Sequence, residues 1–129
     1  LEALGPVAEA LKRGRAIKGA LGLLLVDTDT GAVADSAGVS EGMELGAEMA
    51  AAVAGLLREQ RRAVRQSGGS EALEEILLTT SDRYYMARGL GAGDFLLLVL
   101  DRHQGNLARA QLDLVSIERA LEATKQETA

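Results

Sequence analysis

Hydrophobic residues along this chain fall into two patterns. Some blocks are apolar at every position, and longer stretches are apolar at every third or fourth. Residues 43–66, MELGAEMAAAVAGLLREQRRAVRQ, are the longest stretch of the second kind and predict one long helix. At about 100° per residue, Glu44, Glu48, Gly55, Glu59 and Arg62 share one narrow polar stripe. Leu45, Met49, Ala52, Val53, Leu56 and Ala63 form an apolar face carrying the large side chains. Beside it lies a second apolar face of mostly small residues: Met43, Gly46, Ala47, Ala50, Ala54, Leu57 and Val64. A surface helix needs only one apolar stripe to pack on its own domain. The large-residue face is therefore expected on a sheet. The small-residue face is expected against a second copy of the chain, with Met43, Ala47, Ala50, Ala54, Leu57 and Val64 as a dimer seam. The plainer alternative is an exposed Ala-rich surface, which costs a helix little.

The remaining elements follow in order. Leu4, Val7, Ala8 and Leu11 fit a short helix, starting from Leu1 or, in regular form, near Gly5 because Pro6 suits a first turn. Lys12, Arg13 and Arg15 stand at its C-terminal end, where they complement the helix dipole. Residues 20–30, ALGLLLVDTDT, hold a strand apolar on both sides, as expected when both faces are covered. Asp29, Thr30 and Gly31 make a hairpin turn into a return strand at 32–36, with 37–42 as a loop and Ser40 as N-cap of the long helix. Ser67, Gly68 and Gly69 stop that helix. Residues 72–80 and 83–90 read as two strands around a turn at Ser81 and Asp82. Residues 91–94 form a turn, and 95–100, FLLLVL, are a second doubly buried strand. Leu107, Ala110, Leu114, Ile117 and Leu121 give the apolar face of a last helix over 107–125, with 126–129 frayed.

The order is helix, two strands, helix, three strands, helix. The strands around Leu24 and Leu98 should be central neighbours with their hairpin partners outside. The expected fold class is α/β (α+β): a three-layer sandwich with a five-stranded antiparallel sheet, the long middle helix on one face and two terminal helices on the other. It should occupy residues 1–129 as a single domain. The charged, alternating strand at 72–80 is the expected edge, and an open edge must be paired or covered. The two-fold that pairs the middle helices would join this edge to its copy, placing Ile76 in the same seam.

Composition narrows the function. A hydrophobic content of 47% with 2% aromatics implies a core of Leu, Val, Ile and Ala. A net charge of −5 argues against nucleic acid, which needs a basic face. The absence of cysteine removes disulfides and thiol chemistry and fits a cytoplasmic setting. No apolar run approaches the ~20 residues of a membrane span, and no signal peptide is evident. The chain opens on Leu1 rather than Met, leaving room for residues ahead of it.

Catalytic inventory is thin. His103 is the one histidine and cannot build a His-cluster metal site. Asp27 and Asp29 flank a turn, which is an ordinary place for Asp. GLGAGD at 89–94 lacks the spacing of a dinucleotide loop and leads into a strand, not a helix. No nucleophile elbow occurs. Catalytic residues, metal and cofactors are therefore all expected to be none, and the chain is expected not to be an enzyme. Of Tyr84 and Tyr85, one should be core and the other near a helix or the seam.

The sequence resembles the Roadblock family, which includes dynein light-chain Roadblock and bacterial MglB. The resemblance rests on GALGLLLVDTDTG with AVADS, the long Ala-rich helix, then LEEILLTTSDRYYMARGLGAGDFLLLVLDR and the final helix opened by LARAQLDL. It implies a homodimer, or a heterodimer of like domains, that serves as a platform for a Ras-like small GTPase. Bacterial members are commonly encoded beside a small GTPase and sometimes a sensor kinase. In MglB-like proteins the paired middle helices face the GTPase and can stimulate hydrolysis by repositioning its own groups. On that basis Glu44, Glu48, Arg58, Arg62 and Arg65 are the expected GTPase-facing charges. The alternative is that Arg58, Arg61, Arg62 and Arg65 merely complement the dipole at the helix end. Competing functions are an assembly adaptor for a kinase or motor complex and a small-molecule sensor domain. The unbroken Leu and Val of the strands speak against the sensor.

Overall fold

The computed structural model describes residues 5–91 and 93–128, with the side chains of 125–128 excepted. Leu1 and Leu4, and Ala92 in the expected turn, lie outside the described residues. The elements are α1 (Pro6–Arg15), β1 (Ala20–Asp27), β2 (Val33–Gly38), α2 (Ser40–Gln66), β3 (Glu75–Thr79), β4 (Arg83–Gly89), β5 (Asp94–Asp101) and α3 (Leu107–Thr128). Several boundaries differ from the sequence pattern; the strand expected over 72–80 is confined to Glu75–Thr79. Residues 37 and 38, expected in a loop, extend β2 along β1. Ser40 is the first residue of α2; Val39 is its N-cap, and no side chain caps it. The last helix runs on to Thr128 where fraying was expected.

The sheet order is β2-β1-β5-β4-β3, antiparallel throughout. The two apolar strands are neighbours at its centre, with Leu23 opposite Leu98 and Leu25 opposite Leu96. Alternation along them supplies two cores. Leu23, Met86, Leu96, Leu98 and Leu100 meet α1 and α3 through Leu11, Leu114 and Ile117. Leu24, Val26, Phe95, Leu97 and Val99 meet α2 through Ala50, Val53, Ala54 and Leu57. The three-layer sandwich is thus present, with one helix on one face and two on the other.

The face of α2 that meets the sheet is not the expected one. Gly46, Ala50, Ala54 and Leu57 of the small-residue face, together with Gly42 and Val53, are buried under the helix. The cause is close approach to β1. A Cβ at Gly42 would lie 2.1 Å from the Leu21 carbonyl oxygen, and one at Gly46 would lie 2.4 Å from Leu24 Cδ1. Only small residues allow that spacing, so the small-residue arc turns inward and most of the large-residue arc turns out. Ala50, Ala54 and Leu57 therefore leave the seam assigned to them, because they are interior to a single chain.

Candidate partner-docking surface

The surface is built where α2 fails to roof the sheet. The helix packs over β1 and, less extensively, β2 and β5. Its flank toward β2 is fixed by three contacts. Ser36 Oγ donates to Met43 Sδ at 3.5 Å. Ala51 lies against Gly31. Arg58 Nη1 donates to the carbonyls of Thr28 and Asp29 at 2.6 and 3.1 Å. Half-buried Met43 and exposed Ala47 belong to this flank and so to no β3-side seam.

The opposite flank, carrying Leu45, Met49, Ala52 and Leu56, faces β4 and β3. Leu45 and Met49 are half-buried against the core cluster that holds Tyr85, and Leu73, Ile76 and Leu78 pack against the same cluster. Ala52 is exposed, and Leu56 is 47% exposed. Register puts Ile76 opposite Ala87 and Leu78 opposite Tyr85, so both point to the α2 side of the sheet. β3 has β4 as its single strand neighbour, leaving its outer edge open. On its other face Leu77 is 40% exposed. The result is an apolar strip on this side of α2 and the sheet, bordered by an unpaired strand edge. Of the residues expected in the seam, Ile76 lies here; Val64 is half-buried farther along α2.

The charged residues of α2 divide. Glu44 and Glu48 are exposed on its outer surface. Arg58 is spent on the Thr28 and Asp29 carbonyls, which ties α2 to the β1–β2 turn. This gives it a structural task within the chain. Arg62 pairs with Glu59 at 2.8 Å, both well exposed, so the pair adds little to stability. Arg65 is exposed and has no ion pair among the described residues. It lines a surface hollow of about 300 Å³ with Gln60, Arg61, Val64, Gly69 and Leu73.

One polar cluster has no sequence motif. Arg88 of β4 binds Glu75 of β3 at 2.9 Å and Glu118 of α3, and Gln111 Nε2 donates to Glu75 at 2.7 Å. Burial works against the Arg88 charge, but the hydrogen bonds it donates to Glu118 and Glu75 outweigh it and hold its pKa above the ordinary value. A charged residue on the inner side of an edge strand was the available signal, in Glu75. Tyr85 is core and Tyr84 is half-buried under the Arg102 guanidinium, 5.6 Å from its ring centre. His103 is exposed, 3.7 Å from Asp82. Asp27 accepts the N–H groups of Asp29 and Thr30, each at 2.9 Å, as a turn residue. Among the described residues no group of three or more metal-ligating side chains comes together. No described helix is long and apolar enough to cross a membrane.

No family model matches the sequence, and no curated protein does. Solved structures do match. Myxococcus xanthus MglB superposes with a TM-score of 0.79 at 17% identity, over 98% of this chain and 99% of that one. A Roadblock/LC7 domain from Streptomyces avermitilis gives 0.73 at 15% identity, over 92% and 96%. An MglB with a tetrameric arrangement gives 0.77 at 19%, over 100% and 96%. The fold is that of Roadblock domains. At these identities the Roadblock likeness extends to architecture and stops short of function.

Proposed function

We propose that this chain is a non-enzymatic, self-associating regulator or scaffold of a Ras-like small GTPase, working in the cytoplasm. The observation that carries the reading is the open apolar strip of a Roadblock fold: Leu45, Met49, Ala52 and Leu56 beside Ile76, Leu78 and the free β3 edge. A second copy fits it. Two strips related by a two-fold bury each other, and two β3 edges extend into one sheet. The tetrameric arrangement of a similar MglB is in keeping with self-association.

Pairing would leave the outer surface of α2 free. That surface carries Glu44, Glu48, Arg62 and Arg65, and there the GTPase is placed, on the family resemblance. A platform of this kind acts by holding groups of the GTPase in position, so it needs no nucleophile or base of its own. The test is GTP turnover by a Ras-like GTPase from the same genome, with and without added protein. A change in turnover that is lost in Arg62→Glu/Arg65→Glu, at unchanged solution mass, supports a regulator. Binding without any change in turnover leaves an assembly adaptor. No binding removes the GTPase from the proposal.

A further inference from the structure

β2 forms the second open edge, at the far side of the sheet from β3. Val33, Ala34 and Asp35 are exposed along it. The Val39 N–H donates to the Leu21 carbonyl at 2.9 Å, which sets the phase of the β1–β2 ladder. Bonded pairs then recur at every second residue, at Ala37 and Asp35. Ser36, opposite Leu24 between them, directs its N–H and C=O outward. Its N–H donates instead to the carboxylate of Asp35, Oδ1 at 2.9 Å. An anionic oxygen from the chain itself thus stands where an added strand would place an acceptor.

Beside this edge a groove of about 240 Å³ runs between α1 and β2, lined by Ala8, Leu11, Lys12, Arg15, Asp35 and Ala37. Lys12 and Arg15 are exposed, with no ion pair among the described residues. These are the two cations that face the groove, in a chain of net charge −5; Arg13 points away to α3, where it donates to Ser116 Oγ at 3.0 Å. Cations at the end of α1 complement its dipole, which accounts for their sign but not for their unpaired state beside an open edge. The other side of the β2 edge is different. There the flank of α2 presents Met43, Ala47 and Ala51, all uncharged.

We propose that β2 and the α1 groove are a docking edge for an extended acidic segment of a partner protein, which adds as a further strand. Main-chain bonds to Ser36 would hold the segment, and alternate side chains would set specificity. Acidic residues would fall on the α1 side between Lys12 and Arg15, and apolar ones on the α2 side. The inference is independent of any GTPase. If two copies join through β3, their β2 edges lie at the two ends of the combined sheet, and a partner carrying two such segments gains by avidity.

The experiment is an anisotropy titration of the full chain against a fluorescein-labelled, acetylated peptide, Glu-Val-Glu-Val-Glu-Val-Glu, with a Lys-for-Glu peptide as control. Saturable binding of the acidic peptide alone is expected. Lys12→Glu/Arg15→Glu should weaken it about tenfold, since two favourable charges become repulsive. Asp35→Ala should tighten it about threefold by freeing the Ser36 N–H and removing a like charge. Ser36→Pro, which deletes an outward N–H, should abolish it while far-UV circular dichroism is kept. No binding by the wild type overturns the proposal. So does binding that survives Ser36→Pro or falls in Asp35→Ala, either of which means charge attraction without strand addition. Binding to phosphatidylserine vesicles but not to the peptide overturns it in favour of a lipid surface.

Discussion

Gly46 lies so close to Leu24 that a Cβ on it would come within 2.4 Å of Leu24 Cδ1, and Leu24 is itself buried. The same substitution should therefore have opposite signs along α2. Gly→Ala inside a helix gains about 1 kcal/mol from backbone entropy, and overpacking a core costs about 1–3 kcal/mol. Gly46→Ala should be a net loss. Gly42→Ala should lose more, because its obstacle is the Leu21 backbone carbonyl rather than a side-chain tip. Gly55→Ala should gain, since its Cβ would meet only Arg58 Nη2 at 3.8 Å. Urea midpoints of the three variants give the order directly.

Leu56 and Leu57 are neighbours in sequence and differ in fate: 47% exposed against 4%. Leu56→Glu should leave the fold intact and abolish self-association. Leu57→Glu buries a charge against the sheet and should cost about 3–5 kcal/mol or prevent folding. Light scattering across a dilution series, with thermal melts alongside, separates the two. The wild type should approach twice 13.5 kDa. A folded wild-type monomer would remove the second copy from the apolar strip.

The sheet was legible because its two central strands are apolar at every position and their hairpin partners are not. Hydrophobic blocks around Leu24 and Leu98 can satisfy both faces only at the centre of a three-layer sandwich. The edge was legible from the charges of β3. The orientation of α2 was not. A helical wheel yields two apolar arcs, and side-chain size suggested the wrong one for the core. What decides is the distance between helix and strand, set by Gly42 and Gly46 over Leu21 and Leu24. The structural task of Arg58 was hidden for a related reason: its acceptors, Thr28 and Asp29, are about thirty residues away. Local spacing exposes a cation but not its distant carbonyls.

Two carboxylates make stability depend on acid. The Thr30 N–H, working against the cost of partial desolvation and helped by the Thr30 hydroxyl and the Asp29 N–H, holds Asp27 below its ordinary 3.8. The N–H groups of His103 and Gln104 lower Asp101 in the same way. A depressed carboxylate binds fewer protons folded than unfolded. Its contribution is therefore full above the unfolded value and is lost as pH falls through the folded one. Wild-type stability should fall below about pH 4. Asp27→Asn and Asp101→Asn should each flatten that decline, as read from urea midpoints at pH 7 and in steps down to pH 3.

Arg88 joins three elements of structure at one point. It rises from β4, opposes Glu75 of the edge strand in register, and reaches Glu118 of α3. Gln111 completes the acceptor set of Glu75. All three charges are largely withdrawn from water, so the cluster is worth little relative to a well-packed apolar replacement. Breaking it is another matter, because two carboxylates would then face each other without a cation. Arg88→Ala should cost about 2–4 kcal/mol. Arg88→Met/Glu75→Leu/Glu118→Leu should recover most of the loss. The cluster also fixes β3 to the body of the sheet, where no helix roofs it. Amide exchange should accordingly accelerate in β3 and the adjoining half of β4 in Arg88→Ala, while β1 and β5 stay protected. A uniform loss of protection across the sheet would show instead that Arg88 supports global stability and does not specifically pin the β3 edge.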